Sequence, residues 1–171
     1  MSDILDFETP VKLKEDMLDS VKEFDCGDND LNEFLTDDAL KYMKQNLATT
    51  YLCNHTKHGL LAYFSISADS IEISEKEKEI FREYDKALRE YPAIKIGRLA
   101  VQKEYKRNGI GERIIEIVLG YALEMNNRLA VRYVSVDAYP ESAGFYERCG
   151  FKRFKQKGDN MSMYRDILIK D

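Results

Sequence analysis

Leu31, Phe34, Leu35, Ala39, Tyr42 and Met43 recur at the three-and-four spacing of a single helical face. The spacing predicts a helix opening after Asp28, whose carboxylate suits the N-cap, with Asp30 in the favourable first turn. A short strand is expected at Val11 to Leu13. Beyond the helix, Thr49 to Cys53 and Leu60 to Ile73 read as strands joined by a polar turn through His58-Gly59. Ser74-Glu-Lys-Glu77 has the form of a capping box. Ile80, Phe81, Tyr84, Ala87, Leu88 and Tyr91 then make a second helical stripe, which Pro92 is expected to stop.

The second half alternates differently. Ala93 to Val101 predicts a central strand, and Ile110, Ile114, Ile115, Val118, Leu119 and Ala122 predict a long helix ending near Met125-Asn126. Val131 to Asp137 reads as a further strand. Pro140 suits the first position of a short helix reaching Glu147, with Gly150 as its C-terminal stop. Phe151 to Phe154 and Met161 to Leu168 predict a closing hairpin around Lys157-Gly158. The order predicts a mixed α/β fold, with hairpins first and strand–helix–strand after. No repeat, low-complexity tract or linker divides the 171 residues, which suit one domain spanning 1–171.

Composition narrows the setting. There is no run near the ~18 apolar residues that a membrane span needs. The opening MSDILDFETP is acidic and lacks the basic and apolar regions of a signal peptide, so a cytoplasmic protein is expected. Cys26, Cys53 and Cys149 are odd in number and far apart, which suits small buried side chains better than a disulfide framework. His55 and His58 share a hairpin turn with Cys53, but no fourth ligand is evident. They are expected to be solvated turn residues, and no metal is expected.

Charge is uneven. Residues 1–94 carry 11 Lys/Arg against 21 Asp/Glu, whereas residues 95–171 carry 15 against 10. A basic half on an acidic chain points to a local anionic ligand. Lys103, Lys106, Arg107 and Arg113 all flank Gly109-Ile110-Gly111, a glycine turn placed between a strand and a helix. Such a turn lets an anion approach the first helical amides, which have no partners inside the helix. A dinucleotide fingerprint would need glycine at 114, where Ile114 stands, and the Gly-Lys-Ser/Thr of a P-loop is absent.

From Gly97 to Phe151 the chain reads IGRLAV, YKRNGIG opening a helix, VRYVSVDAYP and ESAGFYERCGF. This succession resembles the acyl-CoA-binding half of the GNAT N-acetyltransferase superfamily. The resemblance implies a central, mixed, mostly antiparallel sheet with splayed middle strands flanked by helices, plus a helical insertion at about 74–91. It implies acetyl-CoA as co-substrate and no metal. The family's Gln/Arg-x-x-Gly-x-Gly/Ala turn, which holds the coenzyme pyrophosphate, corresponds to Lys106, Arg107, Asn108, Gly109, Ile110 and Gly111. The leading Lys keeps the charge but lacks the planar group. Leu99, Ala100 and Val101 occupy the strand whose backbone would meet the pantetheine arm. Tyr146 stands where the family places a tyrosine near the coenzyme sulfur, a donor to the departing thiolate.

No general base is evident; Glu72 and Asp137 are the carboxylates near strand ends, and each reads equally well as a solvated surface group. The missing base tilts the expectation toward an amine of low pKa, since an α-amine near 7.7–8.0 is partly neutral where a lysine near 10.4 is not. Phe24-Asp-Cys26-Gly27, Leu31-Asn-Glu-Phe34-Leu35, Tyr63-Phe-Ser-Ile-Ser and Gly97-Arg98-Leu-Ala-Val101 further resemble the GNAT toxins of bacterial toxin–antitoxin pairs and their relatives. That branch acetylates the α-amine of aminoacyl-tRNA. A sequence pI near 5.2 disfavours tRNA, because binding it takes many Lys and Arg contacts. The expectation is therefore an N-acetyltransferase acting on a small-molecule or peptide amine, with no membrane partner and with a homodimer allowed. The alternatives are the tRNA-modifying toxin and a non-catalytic acyl-CoA-binding domain.

Overall fold

The structure, a computed structural model, describes residues 2–83 and 88–169. Its strands are β1 (Val11–Lys12), β2 (Thr49–His55), β3 (Gly59–Ile71), β4 (Tyr91–Val101), β5 (Tyr133–Ala138), β6 (Lys152–Lys157) and β7 (Asn160–Asp166). Its helices are α1 (Asn29–Glu33), α2 (Ala39–Lys44), α3 (Glu75–Lys78), α4 (Ile110–Met125) and α5 (Ala143–Arg148). The strand order is β1-β2-β3-β4-β5-β7-β6, and β1/β2, β2/β3, β5/β7 and β6/β7 pair antiparallel. The chain forms two compact units, Met1–Ser67 with Ile96–Ile117, and Ala68–Lys95 with Val118–Asp171.

In the first unit, Asp28 caps α1 as its position predicts, Oδ1 accepting from the Leu31 N–H at 3.2 Å. A π-helical turn, Phe34–Asp38, joins α1 to α2. Phe34, Leu35 and Ala39 pack with Val21, Phe24, Leu52, Tyr63 and Ala100 in one buried cluster. Tyr63 carries a hydroxyl into that cluster and donates it to the Leu31 carbonyl at 2.6 Å, which offsets the cost of burying the phenol.

In the second unit, Ile73, Tyr91, Ala93, Tyr133 and Tyr164 form the buried cluster, with Phe81 against it. Here the expected 74–91 helix is corrected. Among the described residues of this stretch, helical structure covers Glu75–Lys78 and a 3-10 turn at Glu79–Phe81. Ile80 and Leu88 are exposed while Tyr91 is buried, so the stripe is not one face; Tyr84 and Ala87 lie outside the described residues. Tyr91 already belongs to β4 and reaches Phe81 from the sheet, ring centroids 4.9 Å apart. Pro92 therefore sits at the start of a strand, a place that tolerates it, rather than at the end of a helix. The capping box is half made. Ser74 Oγ accepts from the Glu77 N–H at 3.2 Å, but Glu77 turns to Lys152 and the Ser74 N–H donates to the Tyr164 hydroxyl.

Two boundaries also shift. The short helix begins at Ala143, not Pro140; ahead of it the N–H groups of Ser142 and Ala143 share the Tyr139 carbonyl in a turn. The last hairpin closes on Gly158-Asp159, with Lys157 opposite Asn160. Gly158 takes the positive φ of 61° that such a turn requires.

Candidate active site

The glycine turn lies in the first unit and is built from both of its ends. Upstream, the Gln102 N–H donates to the Leu61 carbonyl at 2.8 Å and the Lys103 N–H to the Asp25 carbonyl at 2.9 Å. The Gln102 side chain accepts from the Asp25 N–H at 2.8 Å. Within the turn, Asn108 closes the loop by donating to the carbonyls of Tyr105 at 3.0 Å and Lys106 at 3.2 Å. Arg107 and Gly109 both take positive φ, 62° and 81°. For Arg107 that is an uncommon, strained conformation, of the kind held at ligand-binding turns. Left-handed residues in a turn gather backbone N–H groups into a concavity that suits an anion.

Downstream, α4 opens at Ile110, whose buried side chain anchors the helix end. The first α4 bond runs from the Arg113 N–H to the Gly109 carbonyl at 3.0 Å. The amides before it have no partner within the helix, and the helix dipole lies behind them. Of the basic residues that the sequence gathers here, Lys103 is tied to Asp25 at 2.5 Å and Arg113 to Glu116 at 2.9 Å. Lys106 and Arg107 are exposed and make no ion pair among the described residues. Leu99, Ala100 and Val101 end β4 just ahead of the turn. Ala100 is buried against the first-unit core, while Leu99 and Val101 are half-buried.

Tyr146 belongs to the second unit, on α5, with its ring wedged between Phe145 and Phe151 at 5.0 and 5.3 Å. Burial pushes its phenol well above the ordinary value, and the Cys149 thiol beside it adds to the shift. The group therefore stays protonated, a hydrogen-bond donor at neutral pH. Gly150 follows with φ 82°, ending the helix as its position predicts.

The two carboxylates considered as bases are both held by lysine. Glu72 pairs with Lys155 at 2.7 Å, which draws its pKa down. Asp137 pairs with Lys95 at 2.6 Å and Lys157 at 2.9 Å. Burial raises its pKa, but the two lysines outweigh that and the net shift is downward. Both are poorer proton acceptors than a free carboxylate. The histidine expectation is corrected in part. His55 is buried at the end of β2, Nε2 3.0 Å from the Asp3 carbonyl and Nδ1 accepting from the Lys57 N–H, while His58 is exposed. The strand register carries His55 inward, so it serves the packing of the hairpin.

Sequence reasoning missed Asp25. Its carboxylate accepts from the Gly27 N–H at 2.8 Å, the Asn32 amide at 3.0 Å and Lys103 Nζ at 2.5 Å. These donors, Lys103 foremost, hold its pKa at about 2. The Asp-x-Gly pattern, with Gly27 at φ 81°, was the available signal.

A family model described as an acetyltransferase (GNAT) domain matches residues 73–161, more than half of the chain. The chain belongs to the GNAT acetyltransferases. Among solved structures, the fold resembles AtaT complexed with acetyl-methionyl-tRNAfMet, at TM-score 0.78 and 18% identity over 92% of this chain and 94% of that one. A tyrosine-to-phenylalanine variant of KacT resembles it at TM-score 0.77 and 20% identity over 91% and 92%. AtaTR bound with acetyl-CoA does so at TM-score 0.76 and 18% identity over 93% of each. At these identities the likeness is one of GNAT fold, and it extends past the matched segment into the first half of the chain. Among the described residues, no helix is long and apolar enough to cross a membrane.

Proposed function

We propose that residues 1–171 form one acyl-CoA N-acyltransferase domain of the cytoplasm that moves an acetyl group from acetyl-CoA to a primary amine. The observation that carries the reading is the glycine turn, where left-handed Arg107 and Gly109 lead into the first amides of a 16-residue helix, beside Lys106 and Arg107, which make no ion pair among the described residues. The backbone of Lys106, Arg107, Asn108, Gly109, Ile110 and Gly111 would cradle the coenzyme pyrophosphate, and Lys106 and Arg107 would add charge. Leu99, Ala100 and Val101 would offer main-chain partners to the pantetheine arm.

Chemically, the amine nitrogen bonds to the thioester carbonyl carbon, the C–S bond breaks, and one proton passes in net from nitrogen to sulfur. Tyr146 would donate a hydrogen bond to the departing sulfur. A phenol near 10, raised further by burial, gives up its proton reluctantly to a thiolate whose conjugate acid lies near 8.5. Stabilising the thiolate while solvent supplies the proton is the better role. With Glu72 and Asp137 engaged by lysines, an amine of low pKa is the favoured acceptor.

A second reading narrows that acceptor to the α-amine of aminoacyl-tRNA. It is favoured by the nearly full-length likeness to AtaT, which has been solved with acetyl-methionyl-tRNAfMet. The acidic pI near 5.2 weighs against it.

The test is thiol release from acetyl-CoA with glycinamide, n-butylamine and methionyl-tRNA as acceptors at neutral pH. Glycinamide outpacing butylamine is expected. Methionyl-tRNA outpacing both would establish the second reading. Acetyl-CoA binding without release on any of the three would reduce the chain to a binding domain.

A further inference from the structure

Among the described residues of the first unit, Arg98 is the one Lys or Arg that is not exposed; it is half-buried. It lies on β4 immediately before Leu99, Ala100 and Val101, so at the rise of an extended chain its Cα is within ~10 Å of the strand's end. Side chains alternate along a strand, which places Arg98 on the face of Ile96 and Ala100, both buried. Its guanidinium lies over the Phe34 ring, 4.7 Å from the centroid.

Phe34 is itself held on two sides. It meets Tyr42 edge to face at 5.4 Å and stacks on Tyr63 at 6.3 Å, and the Tyr63 hydroxyl is fixed on the Leu31 carbonyl. Phe34 also opens the π-helical turn, an irregularity frequent at functional sites. The aromatic shelf under Arg98 is therefore in place before any ligand arrives.

The guanidinium is only partly used. Nη1 donates to the Gly97 carbonyl at 2.8 Å, and among the described residues no Asp or Glu lies within ion-pair distance of it. An arginine has five N–H donors in a planar fork and keeps its charge when buried. The contact with Phe34 offsets part of the desolvation cost, and an oxyanion bonded along the fork offsets more. The neighbours select the kind of oxyanion. Glu33, Asp37 and Asp38, around the turn that carries Phe34, are exposed. An acidic rim repels a polyanion and attracts an ammonium. A small molecule with both an amine and a carboxylate suits the two charges; a nucleic acid, which takes many cations, does not.

We propose that Arg98 is a specificity-determining residue, and that it binds the carboxylate of an acceptor that carries both groups, a small peptide or an amino-acid-like molecule. With Nη1 on Gly97, Nε and Nη2 remain for the two parallel bonds of an arginine–carboxylate pair. The pair anchors one end of the acceptor while the amine at the other attacks the thioester. This assignment rests on the proposed acetyl transfer to a primary amine and names the class of its acceptor.

The test measures thiol release from acetyl-CoA by wild type and Arg98→Met with glycinamide, glycylglycine and methionyl-tRNA, alongside thermal shifts with acetyl-CoA alone. The two small acceptors have α-amines of similar pKa, about 8, and differ in the carboxylate. Wild type is expected to prefer glycylglycine ~10- to 10²-fold in kcat/KM, the scale of hydrogen bonds to a charged group, chiefly through KM. Arg98→Met keeps apolar volume on Phe34 and should lose that preference, with the acetyl-CoA shift unchanged. Loosened packing would lower both small amines alike, so a fall confined to glycylglycine belongs to the charge. If Arg98→Met does not fold, Arg98→Lys, which keeps the charge without the planar fork, is expected to lose part of the preference. No preference in the wild type, an equal fall on both small amines, or a lost acetyl-CoA shift would overturn the assignment alone. So would a fall confined to methionyl-tRNA, which would give Arg98 to a nucleic-acid phosphate. A wild type that transfers to none of the three acceptors would overturn the parent reading, and this one with it.

Discussion

Asp25 and Lys103 are joined twice, although 78 residues separate them: the Lys103 N–H donates to the Asp25 carbonyl at 2.9 Å, and Lys103 Nζ to its carboxylate at 2.5 Å. The pair clamps the end of β4 just before the glycine turn. An Asp25→Asn variant should therefore weaken acetyl-CoA binding as well as the fold.

The pH dependence of that clamp has a definite sign. The folded-state pKa of Asp25 is depressed from 3.8 to about 2, so its contribution is fully present above about pH 4 and is lost as pH falls toward 2. Melting temperatures of wild type and Asp25→Asn should differ at pH 5 and converge near pH 2. A gap that stays constant over that range would show that the carboxylate's charge is not what holds the clamp.

Acetyl-CoA at ~100 times its dissociation constant should stabilise the wild type by about 2.7 kcal/mol. Gly111→Val should abolish that gain, since a branched side chain at the helix start would block an anion's approach to the amides. Gly109→Ala acts differently: its Cβ would meet Leu5 only at ordinary contact, 3.5 Å, but φ is 81°. A left-handed Ala should cost ~1–2 kcal/mol of stability without ligand. Differential scanning fluorimetry separates the two, and an unchanged ligand shift in Gly111→Val would remove the turn from the binding site.

Tyr146→Phe removes one hydroxyl from a ring packed on Phe145 and Phe151. Acetyl-CoA affinity should be kept and turnover should fall ~10- to 10⁴-fold. Because burial raises the phenol's pKa, the wild-type rate should show no loss from this group's ionisation as pH rises to about 10. Pre-steady-state acetyl transfer is the decisive measurement; equal chemical rates would leave Tyr146 a packing residue.

The sequence displayed the elements that have strong local signals. Asp28 as a cap, the α4 stripe and the glycine turn all follow from periodicity and backbone constraints within a few residues. The 74–91 stripe misled because Ile80, Phe81 and Tyr91 are apolar for different reasons: exposed surface, helix–sheet contact and strand core. His55 was hidden because register, which carries it inward, depends on its partner strand. Asp25 shows its local turn with Gly27 in the Asp-x-Gly pattern, but its tie to Lys103, 78 residues away, leaves no trace in composition or spacing. The glycine turn could be read because its geometry is local; the carboxylate partners could not.

Arg132 and Asp166 illustrate the same limit and yield the last prediction. The guanidinium gives two bonds to the carboxylate, Nε to Oδ1 at 2.8 Å and Nη2 to Oδ2 at 2.7 Å, and lies over the Phe81 ring at 5.0 Å. The Asp166 side chain is 5% exposed and that of Arg132 24%, so the pair is largely shielded from water. Removing one partner strands the other, which typically costs ~3–5 kcal/mol, whereas replacing both with apolar residues of similar volume is often neutral. Asp166→Ala should thus lose about 3 kcal/mol in urea unfolding, toward the low end because Arg132 keeps some solvent. The double variant Arg132→Met/Asp166→Leu should recover most of that loss. A double variant no more stable than Asp166→Ala would mean that the loss comes instead from the Leu168 N–H, which donates to Asp166 Oδ1 at 2.9 Å, and from the end of β7 that this bond secures.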